Sequence, residues 1–151
     1  MRLETAYAEI FAERLLATSP LPEPAREAAV EMVLLSPLYE TAARDLTPVT
    51  PRQRFAVGLA QGSPSADMAT TPTEAAITDG FARTGAAPEH QALLDQGRLG
   101  EAILSAATRL DARSNATREG LGAALSALRA FGLEKTARRA ALQILLLERM
   151  Q

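Results

Sequence analysis

Two glycines 35 residues apart constrain this chain more than any other feature. Gly97 and Gly132 each open a helix-shaped segment of one outline, Gly97-Arg98-Leu99-Gly100-Glu101-Ala102 and Gly132-Leu133-Glu134-Lys135-Thr136-Ala137. At the same offset Ala102 matches Ala137, Ala106 matches Ala141 and Leu110 matches Leu145, so small and large apolar positions recur in order. A period of about 34 residues is that of stacked helical hairpins, each of which buries its apolar face only against a neighbour. The chain is expected to be all-α, a helical bundle or α-solenoid of antiparallel hairpins with no sheet.

Helix starts are marked by hydroxyl-proline pairs: Ser36-Pro37, Thr50-Pro51 and Thr71-Pro72, with weaker cases at Ser19-Pro20 and Ser63-Pro64. The hydroxyl accepts an orphan N–H of the first turn, and Pro at the first helical position gives up no intrahelical bond. Gln53 and Glu74 stand three residues after Thr50 and Thr71, the capping-box spacing. The predicted helices are 3–17, 24–35, 37–45, 51–61, 72–83, 88–96, 99–112, 118–131 and 134–149. On the first, i, i+3, i+4 spacing gathers Leu3, Tyr7, Ile10 and Phe11 on one face. On the seventh, Leu99, Ala102, Ile103, Ala106 and Leu110 form a stripe answered by Leu121, Ala124, Leu125 and Leu128 on the eighth. Apolar alternation is absent and β-branched residues are scattered, so no strand is expected. The layout reads as one all-α domain: a helical part over 1–62, a linker-like stretch at 62–71 rich in turn formers, and hairpins over 88–149.

The run Gln96-Gly97-Arg98-Leu99-Gly100-Glu101-Ala102-Ile103 resembles the second-helix opening of a tetratricopeptide repeat, and Phe131-Gly132-Leu133-Glu134-Lys135-Thr136-Ala137 repeats it. The resemblance covers residues 88–149. Leu121 and Leu128 stand where that family usually has aromatics, Ala106 and Ala141 where it favours bulkier residues, and the repeat-ending proline is missing. Members of that family mostly hold a peptide or helix, so the resemblance implies a scaffold or adaptor and no catalysis.

A search for chemistry returns little. One His and no Cys give no zinc-ligand set. There is no Gly-x-Ser-x-Gly, no phosphate-binding loop and no dinucleotide fingerprint. His90 follows Pro88-Glu89 near a predicted helix start, where an exposed or capping side chain is expected and a general base is the alternative. Glu9 and Glu13 are four apart beside Arg14 and read as a solvated face. No catalytic residue, cofactor site or metal site is assigned, and an enzyme is the least favoured class.

Charge is uneven. Residues 1–96 carry 7 basic and 13 acidic side chains, and residues 97–151 carry 9 and 5. Lys135, Arg138 and Arg139, with Arg129 before them, form the densest basic patch. Glu134 lies beside it, the overall charge is −2 and no aromatics interleave, which argues against nucleic acid and leaves a solvated face or charge complementarity toward a protein. The last helix carries Ala137, Ala140, Ala141 and Ile144 on one face, so Leu142, Leu145 and Leu146 point elsewhere and need a cover: the N-terminal helices, a second copy or a foreign partner. Leu142, Leu145, Leu146, Arg138 and Arg139 are therefore the candidate partner-binding residues. No apolar run reaches the roughly 18 residues that span a bilayer, so no membrane insertion is expected. Arginine use, 15 against a single lysine, points to a high-GC bacterial genome. The location expected is the cytoplasm, with the periplasm open if a leader was removed. The functional expectation is a non-catalytic adaptor or assembly module, with a carrier of a small apolar ligand as the alternative.

Overall fold

The computed structural model describes residues 3–17, 21–111 and 118–147. Among them are nine α-helices, one 3-10 turn (Ala66–Met68) and no strand. The helices are α1 (Leu3–Ala17), α2 (Glu23–Leu35), α3 (Tyr39–Asp45), α4 (Pro51–Ala60), α5 (Pro72–Ala82), α6 (Pro88–Asp95), α7 (Leu99–Asp111), α8 (Arg118–Ala130) and α9 (Glu134–Leu147). The Ser19-Pro20 pair and the last two residues of the ninth predicted helix lie outside the described residues.

Local chemistry accounts for several boundaries. The Thr71 hydroxyl accepts from Glu74 N at 3.2 Å and the Glu74 carboxylate accepts from Thr71 N at 2.9 Å, a complete capping box. At α4 the Thr50 hydroxyl accepts from Gln53 N at 3.2 Å, but the Gln53 amide oxygen reaches one residue further back, to Val49 N at 3.0 Å. Ser36 departs from expectation. Its hydroxyl donates to Val33 O at 2.7 Å and accepts from Leu38 N at 3.1 Å, which closes α2 and delays α3 to Tyr39.

The helix-ending glycines reveal a longer register. Gly97 and Gly132 adopt φ of 70° and 79°, left-handed values that cost a Cβ-bearing residue. Each closes its helix with the same pair of bonds: Gly97 N to Leu94 O (2.8 Å) with Arg98 N to Leu93 O (2.9 Å), and Gly132 N to Arg129 O with Leu133 N to Leu128 O, both 2.9 Å. This is the Schellman arrangement. Gly62, another 35 residues earlier, has φ of 86° and the same pair, Gly62 N to Leu59 O and Ser63 N to Gly58 O, both 2.9 Å. Seven residues before each glycine stand Phe55, His90 and Leu125, all fully buried. The four repeat alanines, Ala102, Ala106, Ala137 and Ala141, are fully buried too.

Chain contacts divide the protein into two compact units, Met1–Ser63 with Leu142–Gln151, and Pro64–Ala141. In the first, α1 packs chiefly on α2, and α2, α3 and α4 pack on one another. Small side chains make the α1 contact: Ala12 clusters with Val33 and Ala42, against Leu15, Leu38 and Leu46. In the second unit α8 packs most extensively on α5 and then on α7, and α7 also packs on α6. The α5–α8 crossing is close. A Cβ at Gly80 would lie 2.8 Å from the Gly122 carbonyl oxygen and 3.0 Å from Leu125 Cβ, and one at Gly122 would lie 3.2 Å from the Ala76 carbonyl oxygen. Two glycines thus let the backbones approach where any side chain would hold them apart. The α8 stripe Leu121, Ala124, Leu125 and Leu128 is buried, whereas on α7 Leu99 is exposed.

Candidate interaction face

The candidate leucines of α9 are packing residues in the folded chain. Leu142, Leu145 and Leu146 are buried, in the same unit as α1–α4, and Arg52 donates from Nη2 to the Leu145 carbonyl. Their cover is within the chain, so they offer no open surface. Arg138 and Arg139 are partly buried; Arg138 Nε stands 3.8 Å from a Glu134 carboxylate oxygen, and neither arginine is free of partners. Arg129 is held more firmly. Its Nε donates to Glu134 at 2.8 Å, its Nη1 donates to the Phe81 carbonyl, and its guanidinium lies 5.0 Å from the Phe81 ring centroid. The basic patch therefore spends part of its charge on internal contacts that tie α8 to the end of α5.

His90 is not the exposed or capping side chain expected at a helix start. It is fully buried, neither ring nitrogen has a hydrogen-bond partner, and its ring meets the edge of Phe131 at a centroid distance of 6.4 Å. Burial pushes its pKa below the ordinary value; Glu89, 4.0 Å away, pulls it upward, and Arg109, paired with Glu89 at 3.1 Å, adds to the depression. A neutral imidazole thus fills the position that holds Phe55 and Leu125 in the other two 35-residue segments, which makes it a core residue. Glu9 and Glu13 are exposed on α1. Among the described residues no group of three His, Cys, Asp or Glu side chains is placed to hold a metal ion, and no helix is long and apolar enough to cross a membrane.

What stands open is the large-residue face of α1. Tyr7 is 53% exposed, Ile10 69% and Phe11 36%, and the Tyr7 and Phe11 rings stack at 5.8 Å with an interplanar angle of 16°. The helix buries Ala8 and Ala12 instead. At about 100° per residue these alanines lie roughly a third of a turn round from the exposed stripe. Arg14, also exposed, continues that stripe at i+7 from Tyr7. The sequence placed Tyr7, Ile10 and Phe11 together but could not show which side faces out, because α1 is apolar on both. Compared with known protein families, curated proteins and solved structures, the chain matches none.

Proposed function

We propose that this chain is a non-catalytic interaction module, an adaptor or assembly subunit that meets a protein partner through the open face of α1. The tetratricopeptide-like hairpins over residues 88–149 serve in this reading as frame. The observation that carries it is the contiguous exposure of Tyr7, Ile10 and Phe11. Single exposed apolar residues are ordinary, but two stacked aromatics and an isoleucine on adjacent turns form a patch that water solvates poorly and that a partner would cover. Tyr and Phe also bring large contact area at small entropic cost, the chemistry of interface anchors.

The test is photo-crosslinking in the expressing cell. A photoreactive residue replacing Ile10 should give a discrete protein adduct, and the same residue replacing Arg54, exposed on α4, should not. Equal labelling from both positions, or none from position 10, would refute the proposal.

A further inference from the structure

We infer that the occupant of the α1 face is a basic amphipathic helix of another protein. Its apolar side lies on Tyr7, Ile10 and Phe11, and its Lys or Arg residues meet the carboxylates that border them. This rests on the reading of α1 as an interaction face and specifies the chemistry of the partner. Shape selects a helix, because side chains at i, i+3 and i+4 form ridges that fit the grooves of a second helix. Charge selects its sign. α1 carries Glu4, Glu9 and Glu13 against Arg14, and α2, on which it packs, carries Glu23, Glu27 and Glu31 against Arg26. Six acidic and two basic side chains leave this pair of helices at −4. At about 100° per residue Glu13 lies roughly 60° round from Ile10 and Glu9 roughly 40° further, while Glu4 lies roughly 20° beyond Phe11. Carboxylates thus border the stripe on both sides, and Glu9 and Glu13 are exposed. Both arginines are already engaged within the chain, Arg26 with Glu23 at 2.9 Å.

Other occupants match less well. A second copy laid α1 on α1 brings the same acidic border, and like charges across an interface repel. The basic residues of α9 stand on a helix whose leucines are buried, so they accompany no open apolar stripe. Anionic lipid and nucleic acid meet the same repulsion from the acidic border. A Lys or Arg flanking an apolar helix stripe gains instead on two counts: it faces the bordering carboxylates, and it is attracted by the ring faces of Tyr7 and Phe11. Charges flanking an apolar seam choose the partner of a helix pair, while the seam itself supplies the contact area.

Because the chain has no Trp, a peptide that carries one reports binding through its own emission. The probe is a Leu/Lys amphipathic helix of roughly 18 residues, about five turns, with one Trp on its apolar side, and a Leu/Glu peptide of the same pattern is its counterpart. Titrated with the intact protein, the Leu/Lys peptide should bind with a blue shift, and the Leu/Glu peptide should bind at least about tenfold more weakly. Raising sodium chloride from about 50 to about 500 mM should weaken the Leu/Lys complex at least about threefold. Ile10→Ser should weaken it about fivefold or more, with an unchanged helical circular dichroism spectrum because the side chain is exposed. Glu9→Lys with Glu13→Lys should reverse the preference between the peptides, a gain that misfolding would not produce. Asp67→Lys with Glu119→Lys makes an equal change of net charge at exposed residues outside α1 and should leave the preference as in the wild type. A preference that survives the Glu9 and Glu13 reversal, or that responds equally to the Asp67 and Glu119 pair, overturns the inference, as does binding of the wild type to phosphatidylglycerol vesicles. The two levels separate cleanly. Equal binding of both peptides that is lost in Ile10→Ser keeps α1 as an interaction face and overturns only the charge selection. Binding of neither peptide, or binding indifferent to Ile10→Ser, overturns the inference, and the crosslink from position 10 then decides the interaction reading by itself.

Discussion

His90→Leu should stabilise the protein, although it removes a buried aromatic contact. The wild-type imidazole is fully enclosed with both nitrogens unpartnered. Each buried unsatisfied polar group costs about 1–3 kcal/mol, and apolar replacement of similar size removes that cost. Against this stands the edge contact with Phe131, worth about 0.5–1.5 kcal/mol. Taking one unsatisfied group as a conservative minimum, the net gain is about 1 kcal/mol. For a chain of this length that is a rise of about 2–4 °C in the thermal midpoint. A pH series separates this from a general packing effect. The folded-state pKa of His90 is depressed below 6.5, so the unfolded chain binds the proton first as pH falls. The stability that the neutral ring contributes is complete above 6.5 and is lost as pH falls through the window between 6.5 and the depressed folded value. In that window each pH unit costs the wild type up to about 1.4 kcal/mol that His90→Leu does not lose. Differential scanning fluorimetry at pH 7.5 and 5.5 should show a wider gap between the two proteins at the lower pH. A destabilised variant, or a gap that does not change with pH, would refute the reasoning.

Other substitutions probe the fold. Gly80→Ala gains about 1 kcal/mol of helix propensity but drives a methyl into the Gly122 backbone 2.8 Å away, and such overpacking costs about 1–3 kcal/mol. Thermal unfolding should show net loss, whereas Gly100→Ala, with nothing within 4 Å of its Cβ, should show none. Gly132→Val must hold a β-branched residue near φ of 79° and should lose about 1–2 kcal/mol in urea titration; an unchanged midpoint would mean that the turn lies elsewhere. Thr71→Ala removes the hydroxyl that accepts from Glu74 N and should cost about 1 kcal/mol by the same titration.

Helix positions were legible because the chain writes its boundaries in strong local chemistry. Thr50, Thr71, Gly97 and Gly132 each satisfy orphan backbone groups within a few residues, so no tertiary information was needed. Ser36 shows the limit: the Ser-Pro pair announces a start, but the hydroxyl instead serves the helix before it. The register at Gly62 was hidden for another reason. α7 begins two residues after Gly97 and α9 two after Gly132, while α5 begins ten after Gly62, so the outline that betrays the repeat is interrupted by the 3-10 turn. The α5–α8 crossing was illegible because Gly80 and Gly122 look like helix weakeners in sequence, and only the close approach gives them purpose. His90 misled because its sequence neighbours are polar, while its place in the 35-residue register is a core position. The α1 face was half legible. Spacing grouped Tyr7, Ile10 and Phe11, but alanines won the packed side because two helices approach more closely across Ala8 and Ala12.

The absence of cysteine makes the central claim, that the open face of α1 meets a protein partner, directly measurable. Ile10→Cys places a single thiol on that face, at a residue 69% exposed, and Arg54→Cys places one on the exposed side of α4. In the purified protein both thiols should react with a maleimide as open surface sites. In the expressing cell the Ile10→Cys thiol should react several-fold more slowly, because a partner covers α1, whereas the Arg54→Cys thiol should react as it does in the purified protein. An Ile10→Cys thiol that reacts equally fast in both settings would contradict the account.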